Sequence, residues 1–287
     1  MNEQPPPLNL GAYSKVIDDD SFYIEPGYST WDGNLFKENN TYFLIYSRWK
    51  SQGGSWLKTS EICIAKSDTL AGPYKHKQVL LKGRGKGYWD EYNAHNPKLK
   101  KYNGKYYLYY ISARSGLTRM HTRDSQRTGV AISESLMGPY TRLDNPIVTP
   151  KAPLHNITVN PGITQMPDGG YLMILKGDKV AKTPAQPMGQ RVQGIAVSDT
   201  PDGKFTIQPK LAIQGVDTED ASLWYDDVRK QYFAIYHAHD YVGLITSKDG
   251  FNWKPAKHPE VMKKSILQKV RSMKKPNSVE RPLVFFD

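Results

Sequence analysis

"NPKLKKYNGKYYLYYISA" (residues 96–113) decides how the chain is read. A short strand, "NPKLKKY", enters the polar turn "KKYNG", and a second strand dense in aromatic side chains, "KYYLYYISA", leaves it. Runs of this length, rich in aromatic and β-branched residues and bounded by turn residues, read as strands. The same layout occurs three more times. "DGNLFKE" precedes "TYFLIYSRW" (41–49), "NPGITQM" precedes "GYLMILKG" (170–177), and "EDASLWY" precedes "QYFAIYHAH" (231–239). A third strand follows each pair, in "EICIAKSDTLAGPYK", "TGVAISESLMGPYTR", "QGIAVSDTPDGKFTI" and "VGLITSKDGFNWKP". Each of these continues through a Ser or Asp turn and a Gly to an aromatic residue that enters a fourth strand. Gly72-Pro73-Tyr74 and Gly138-Pro139-Tyr140 fill that slot, with Gly203-Lys204-Phe205 and Gly250-Phe251-Asn252-Trp253 as looser copies.

Four-stranded antiparallel units repeating about every sixty residues indicate the blades of a β-propeller. A sandwich would not repeat the same turn chemistry in every unit. A fifth unit begins at "VERPLVFFD" (279–287), and "SFYIEP" (21–26) is placed to add a strand that closes the ring. The expectation is an all-β, five-bladed β-propeller whose last blade is incomplete or is closed by the N-terminal segment. Residues 21–287 form one domain after an N-terminal extension, 1–20. A homo-oligomer in which a neighbouring chain covers the open blade is the alternative closure.

Composition agrees with strands and turns: the 287 residues include nineteen Tyr, twenty-three Gly and twenty Pro. No run of eighteen or more apolar residues exists, which argues against a membrane-spanning helix. The start, MNEQPPPLNLGAYSK, has no apolar signal core. That leaves a periplasmic or extracellular protein whose signal peptide was removed, or a cytoplasmic one. Cys63 is the single cysteine and reads as a small buried apolar residue in an alternating strand. The formal net charge of +11 favours an anionic partner, and much of the excess lies in residues 257–278. No zinc-finger spacing, RRM signature or helical GxxG clamp accompanies it, so nucleic acid is not the expected partner.

In a propeller the first strand of each blade lines the central channel. Alignment of the repeats puts Asp32-Gly33, Asn96-Pro97, Asn160-Pro161, Glu219-Asp220 and Glu280-Arg281-Pro282 at one point of successive units. Two carboxylates facing one pocket suit glycosidic bond cleavage, where one group donates a proton and the other activates water or attacks the sugar. The plain alternative is that these residues cap inner strands, as Asp and Asn do at turns. Trp31 and Trp89 are candidates to stack on sugar faces. Arg281 offers a planar fork for a carboxylate or sulfate, Lys176 is a second candidate for the same anion, and Arg48 or Arg114 a rim contact. His237 and His239, at i and i+2, are candidate metal ligands with His95. No cofactor is required by these motifs.

With these motifs in place, residues 28–287 resemble the five-bladed β-propeller glycoside hydrolases of families 43 and 117. The resemblance rests on the repeats, on "WDGNLFKENNTYFLIYS" and on "EDASLWYD". It implies Asp32 as general base and Glu219 as general acid. It places Asn160 where an acid normally tunes the donor and orients the sugar, with Asp220 as the substitute for that charge. A His acid, drawn from His95, His155, His237 or His239, is the family 117 variant. A divalent cation in the central channel is a further expectation. His95, Asn96, Asn160, Lys176, His237 and Arg281 join Trp31 and Trp89 as substrate contacts. The expected activity is exo-acting, inverting hydrolysis of an acidic or sulfated oligosaccharide or polysaccharide. A glycan-binding propeller without catalysis and a propeller phosphorylase remain open alternatives.

Overall fold

The computed structural model describes residues 5–13, 23–180, 189–264 and 280–286. Among the described residues, sixteen strands form four separate four-stranded antiparallel sheets, each a simple meander. Blade I holds β1 (Tyr28–Glu38), β2 (Thr41–Lys50), β3 (Glu61–Ser67) and β4 (Lys75–Leu81). Blade II holds β5 (His95–Tyr102), β6 (Lys105–Ser112), β7 (Arg127–Ser133) and β8 (Thr141–Arg142). Blade III holds β9 (His155–Gln165), β10 (Tyr171–Asp178), β11 (Arg191–Ser198) and β12 (Thr206–Ile213). Blade IV holds β13 (Thr218–Asp226), β14 (Gln231–Ala238), β15 (Tyr241–Ser247) and β16 (Lys254–Lys263). One short helix, α1 (Arg119–Asp124), lies in the β6–β7 connection, and Thr118 caps it by accepting from the His121 amide.

The aromatic runs are nearly continuous in hydrophobicity because each second strand is buried on both faces. In β6, Tyr106, Leu108 and Tyr110 pack towards Ile45, Ile62 and Ile64 of blade I. The alternate residues Tyr107 and Tyr109 pack towards Ile163, Met173 and Leu175 of blade III. In β10 the other face, Leu172 and Ile174, meets Leu223, Ala234 and Tyr236 of blade IV. A one-residue slip would exchange the two interfaces, so packing on both sides fixes the register. Cys63 belongs to this interior; burial pushes its thiol up to about 12.

The repeated Ser that ends β3, β7, β11 and β15 has one job in all four blades. Its hydroxyl accepts from the amide two residues on: Thr69 to Ser67 (3.1 Å), Ser135 to Ser133 (3.0 Å), Thr200 to Ser198 (3.4 Å) and Asp249 to Ser247 (3.3 Å). These side-chain turns stand in for a backbone turn and start the approach to the outer strand.

The five-blade expectation needs correction: among the described residues there are four sheets. Neither 23–26 nor 280–286 forms a strand, and the neighbouring residues 14–22 and 265–279, with most of the basic 257–278 segment, lie outside the described residues. Blades I to IV pack in succession, while the outer faces of blades IV and I are covered by chain segments. Leu8, Leu10 and Val284 lie on Trp224, Phe233 and Val242 of blade IV. Tyr23 lies on Tyr46 of blade I. Residues 280–286 bridge the two blades: Phe286 meets Trp224 (centroids 5.9 Å apart) and Phe285 meets Tyr42 (6.3 Å).

Candidate active site

Each inner strand carries a bulge at the position singled out by the repeats. Register shifts fall between Trp31 and Asn34 in β1, between His95 and Lys98 in β5, and between Glu219 and Ser222 in β13. In β9, a shift flanks the step from Val159 to Gly162. Asp32, Asn96, Asn160 and Asp220 occupy these bulges with φ between 51° and 62°, and Arg281 in the bridging segment repeats the geometry at 61°. Asp and Asn tolerate this left-handed region better than most residues; for Arg281 it is strained backbone held by its surroundings. The true equivalent of Asp32 is therefore Asp220, and Glu219 lies one residue earlier, in line with Trp31, His95, Val159 and Glu280.

This offset splits the site into two layers. The residues of the earlier position line an axial cavity of about 300 Å³, together with Trp49, Trp56, Gln126 and Lys176. One wall is aromatic: the His95 ring sits 5.7 Å from both Trp49 and Trp56, and its Nδ1 is 2.8 Å from Ser60 Oγ. Burial, then the charge of Arg281, holds the His95 imidazole well below its ordinary value, so it is neutral at pH 7. Glu219 and Glu280 are the carboxyl groups lining the cavity. Lys176 and Arg191 both ion-pair with Glu219.

The bulge residues form the floor and the layer below it. The Asn96 side-chain amide lies 2.8 Å from Asn160 Oδ1 and against the Arg281 guanidinium, and Asn160 Nδ2 donates to Asp220 Oδ1 (2.6 Å). Arg281 Nη1 lies 3.0 Å from Asp220 Oδ1 and 3.6 Å from Asp32 Oδ2. Lys98 Nζ donates to Asp32 Oδ1 at 3.0 Å, and His237 Nδ1 is 3.1 Å from Asp220 Oδ2. Burial would raise the Asp220 carboxyl, but Arg281, His237 and Lys176 outweigh it and hold the group well below the usual carboxylate range. Burial also brings the Lys176 ammonium down to about 7; Asp220 opposes that fall, and Arg281, Arg191 and Arg123 add to it.

Of the residues expected from sequence, Trp31, His95, Asn96, Asn160, Lys176, Glu219 and Arg281 meet at the cavity. Asp32 and Asp220 do not line it: their side chains are buried beneath, 0 % and 2 % exposed, in ion pairs. Trp89 is a core residue, stacked on Tyr110 (5.7 Å) between blades I and II, so it cannot face an axial sugar. His237 and His239 do not share a site, because β14 ends at Ala238 and His239 is exposed in the turn beside Asp240. His155 opens β9 away from the cavity lining, and Arg114 is exposed. Arg48 is committed to Glu25 and Glu61. Trp49, Trp56 and Gln126 are lining residues that the repeats do not mark.

Ligand atoms of Asp220, His237 and Glu280 lie within 4.8 Å of one another, the spacing of a cation site. The fit is poor, since the Arg281 guanidinium already neutralises Asp220 there. A larger cavity of about 590 Å³ on the outer face of blade I is lined mainly by Tyr23, Leu35, Leu44, Tyr46 and Tyr74; its single acid, Asp32, is fully buried.

Solved structures share this architecture. The protein is similar to Zg3597, a family 117 glycoside hydrolase of the marine bacterium Zobellia galactanivorans, at 18 % identity and TM-score 0.61, over 82 % of this sequence and 71 % of that one. It is similar to BT0996, solved as a complex with RGII, at 15 % identity and TM-score 0.66, over 84 % and 77 %. It is also similar to CoXyl43, a family 43 β-xylosidase/α-arabinofuranosidase from a compost metagenome solved with xylotriose, at 16 % and 0.57, over 79 % and 77 %. The fold is that of the propeller glycoside hydrolases. No protein-family model matches the sequence, and no curated protein matches it.

Proposed function

We propose that the chain is an exo-acting, inverting glycoside hydrolase that takes the end of an acidic or sulfated glycan into the axial cavity. The observation that carries this reading is the cavity itself: an aromatic wall of Trp31, Trp49 and Trp56 together with the carboxyl groups Glu219 and Glu280. Aromatic faces suit the apolar face of a sugar ring, and two carboxyl groups are the minimum for acid–base hydrolysis. A volume of about 300 Å³ is at the lower end for ligand pockets, which suits a terminal residue better than a chain passing through. Exposed Lys58, Lys86, Arg114, Arg119, Lys151 and Lys179 lie on the connections at the cavity end of the blades, and with the net charge of +11 they favour an anionic chain. Asp32, which the resemblance makes the base, supports the floor from its pairs with Lys98 and Arg281, and activation of a water by it would require Arg281 to withdraw.

The test is turnover of 4-nitrophenyl glycosides and of acidic and neutral oligosaccharides, with product anomer read by NMR. Released reducing ends that disappear in both Glu219→Gln and Glu280→Gln support the reading, and kcat/KM for acidic substrates should fall between about 50 and 500 mM salt. A non-catalytic glycan-binding propeller is favoured by one observation, the neutralisation of both Asp32 and Asp220 by Arg281. Saturable glycan binding with no turnover, unchanged in Glu219→Gln, would select it.

A further inference from the structure

Glu219 has surroundings opposite in sign to those of a proton donor. The position from which a second acid would favour its protonated form holds Asn160. What reaches Glu219 is positive: Lys176 from β10 bonds Oε2, and Arg191 from the start of β11 pairs with Oε1. Arg191 is itself fixed by Asp217, its Nε donating to Oδ1 at 2.9 Å. Lys176 stands opposite Val159 in the register, so the cavity end of blade III delivers it to blade IV. Both members of the pair are largely buried, with side chains 12 % and 13 % exposed. A carboxyl group flanked by two cations is stabilised as the anion, whereas a donor must keep its proton.

We propose that Lys176, supported by Arg191, is a positioning residue that holds Glu219 as a carboxylate, so that Glu219 accepts the proton of the attacking water and Glu280 supplies the proton to the leaving oxygen. The inference rests on the hydrolase reading and reverses the role that the resemblance gives to Glu219. In the step, the water oxygen bonds to the anomeric carbon while the bond from that carbon to the glycosidic oxygen breaks. One water proton passes to Glu219, and the carboxyl proton of Glu280 passes to the departing oxygen. The other titratable and charged groups facing the pair and its supporting Arg191 are His95 of β5, Asp217 and Asp220, Lys264 after β16, Glu280 and Arg281 of the bridging segment, and Arg123 of α1.

The deciding experiment compares the accepted oligosaccharide with the glycosyl fluoride of the same sugar, whose leaving group needs no proton. Glu219→Gln should lose both activities at least about a hundredfold; Glu280→Gln should lose oligosaccharide hydrolysis by about a hundredfold but fluoride hydrolysis by less than about tenfold. Lys176→Met should move the acid limb of kcat/KM up by about one pH unit, because Arg191 remains, and Lys176→Arg should restore it. Retained fluoride hydrolysis in Glu219→Gln, or a Lys176→Met change confined to the alkaline limb, makes Glu219 the donor and overturns the proposal while leaving the hydrolase reading intact. A wild-type protein that cleaves neither substrate class refutes that reading instead. The pairing is then judged without turnover, by NMR titration of ¹³C-labelled glutamate carboxyls assigned with Glu219→Gln. Glu219 must titrate at lower pH in the wild type than in Lys176→Met, and equal titration overturns the proposal.

Discussion

Replacing Arg281 by Met removes one charge from beneath the cavity and leaves two buried carboxylates to find other partners. Arg281 lies 3.0 Å from Asp220 and 3.6 Å from Asp32, with its side chain 9 % exposed. Removing one partner of a buried ion pair typically costs ~3–5 kcal/mol, because the survivor stays charged and desolvated. Here each survivor keeps a second partner: Asp32 keeps Lys98 at 3.0 Å and Asp220 keeps His237 at 3.1 Å. The lower end, about 3 kcal/mol at pH 7, is the expected loss. For a chain of this size that is about 6 °C in Tm. The sign of the pH dependence follows from Asp220. Its carboxyl is held low in the folded protein, so it contributes stability above its unfolded value of about 3.9, and that stability is lost as pH falls through the folded value. Without Arg281 the folded value rises, the variant takes up its proton earlier, and the gap between wild type and variant narrows as pH falls from 7 towards about 4. Urea unfolding of both proteins at pH 7, 5.5 and 4 reads the gap directly. A loss under about 1 kcal/mol at pH 7, or a gap that widens on acidification, would refute the assignment of Arg281 as the counter-charge of the floor.

Two further outcomes separate the cavity wall from the core. Trp56→Ala removes one face of the aromatic wall beside His95, and the loss of a stacking contact worth ~0.5–1.5 kcal/mol should raise KM about twofold to twelvefold with little change in Tm. Trp89→Ala, by contrast, leaves a hole between blades I and II where the ring stacks on Tyr110; it should cost ~3–5 kcal/mol in unfolding free energy while KM stays within about twofold in the folded fraction.

The contrast between these two tryptophans shows what the sequence could reveal. Strand order and blade packing were legible because each repeat states the same physics twice: an aromatic run buried on both faces and a Ser turn closing the next strand. The site was legible only to within one residue. Pairing Glu219 with Asp32 by their charge hides the backbone alignment, in which Ala221 takes the place of Gly33, Pro97, Pro161 and Pro282, and Asp220 takes that of Asp32. One residue of offset on a strand moves a side chain from the cavity to the layer beneath it. Trp49 and Trp56 carried no signal of their own, because they reach the cavity from the end of β2 and the following loop rather than from an inner strand. Trp89 could not be told from them by composition, since a stacking face and a core face ask for the same side chain.

The joining of blades I and IV and the charge of the site are one matter. Among the described residues no strand pairing joins the apolar outer faces of blades I and IV, and residues 280–286 connect them through Phe285 and Phe286. The same segment carries Glu280 into the cavity and Arg281 between Asp32 and Asp220. Two carboxylates from opposite ends of the blade order, buried within reach of one guanidinium, would repel each other without it; with it, the first and last blades are drawn to a common axis. Closure of the ring and assembly of the pocket therefore share their energy. A substitution that loosens Phe285 or Phe286, far from any sugar, should lower stability and also displace Glu280, so kcat should fall together with Tm rather than independently of it.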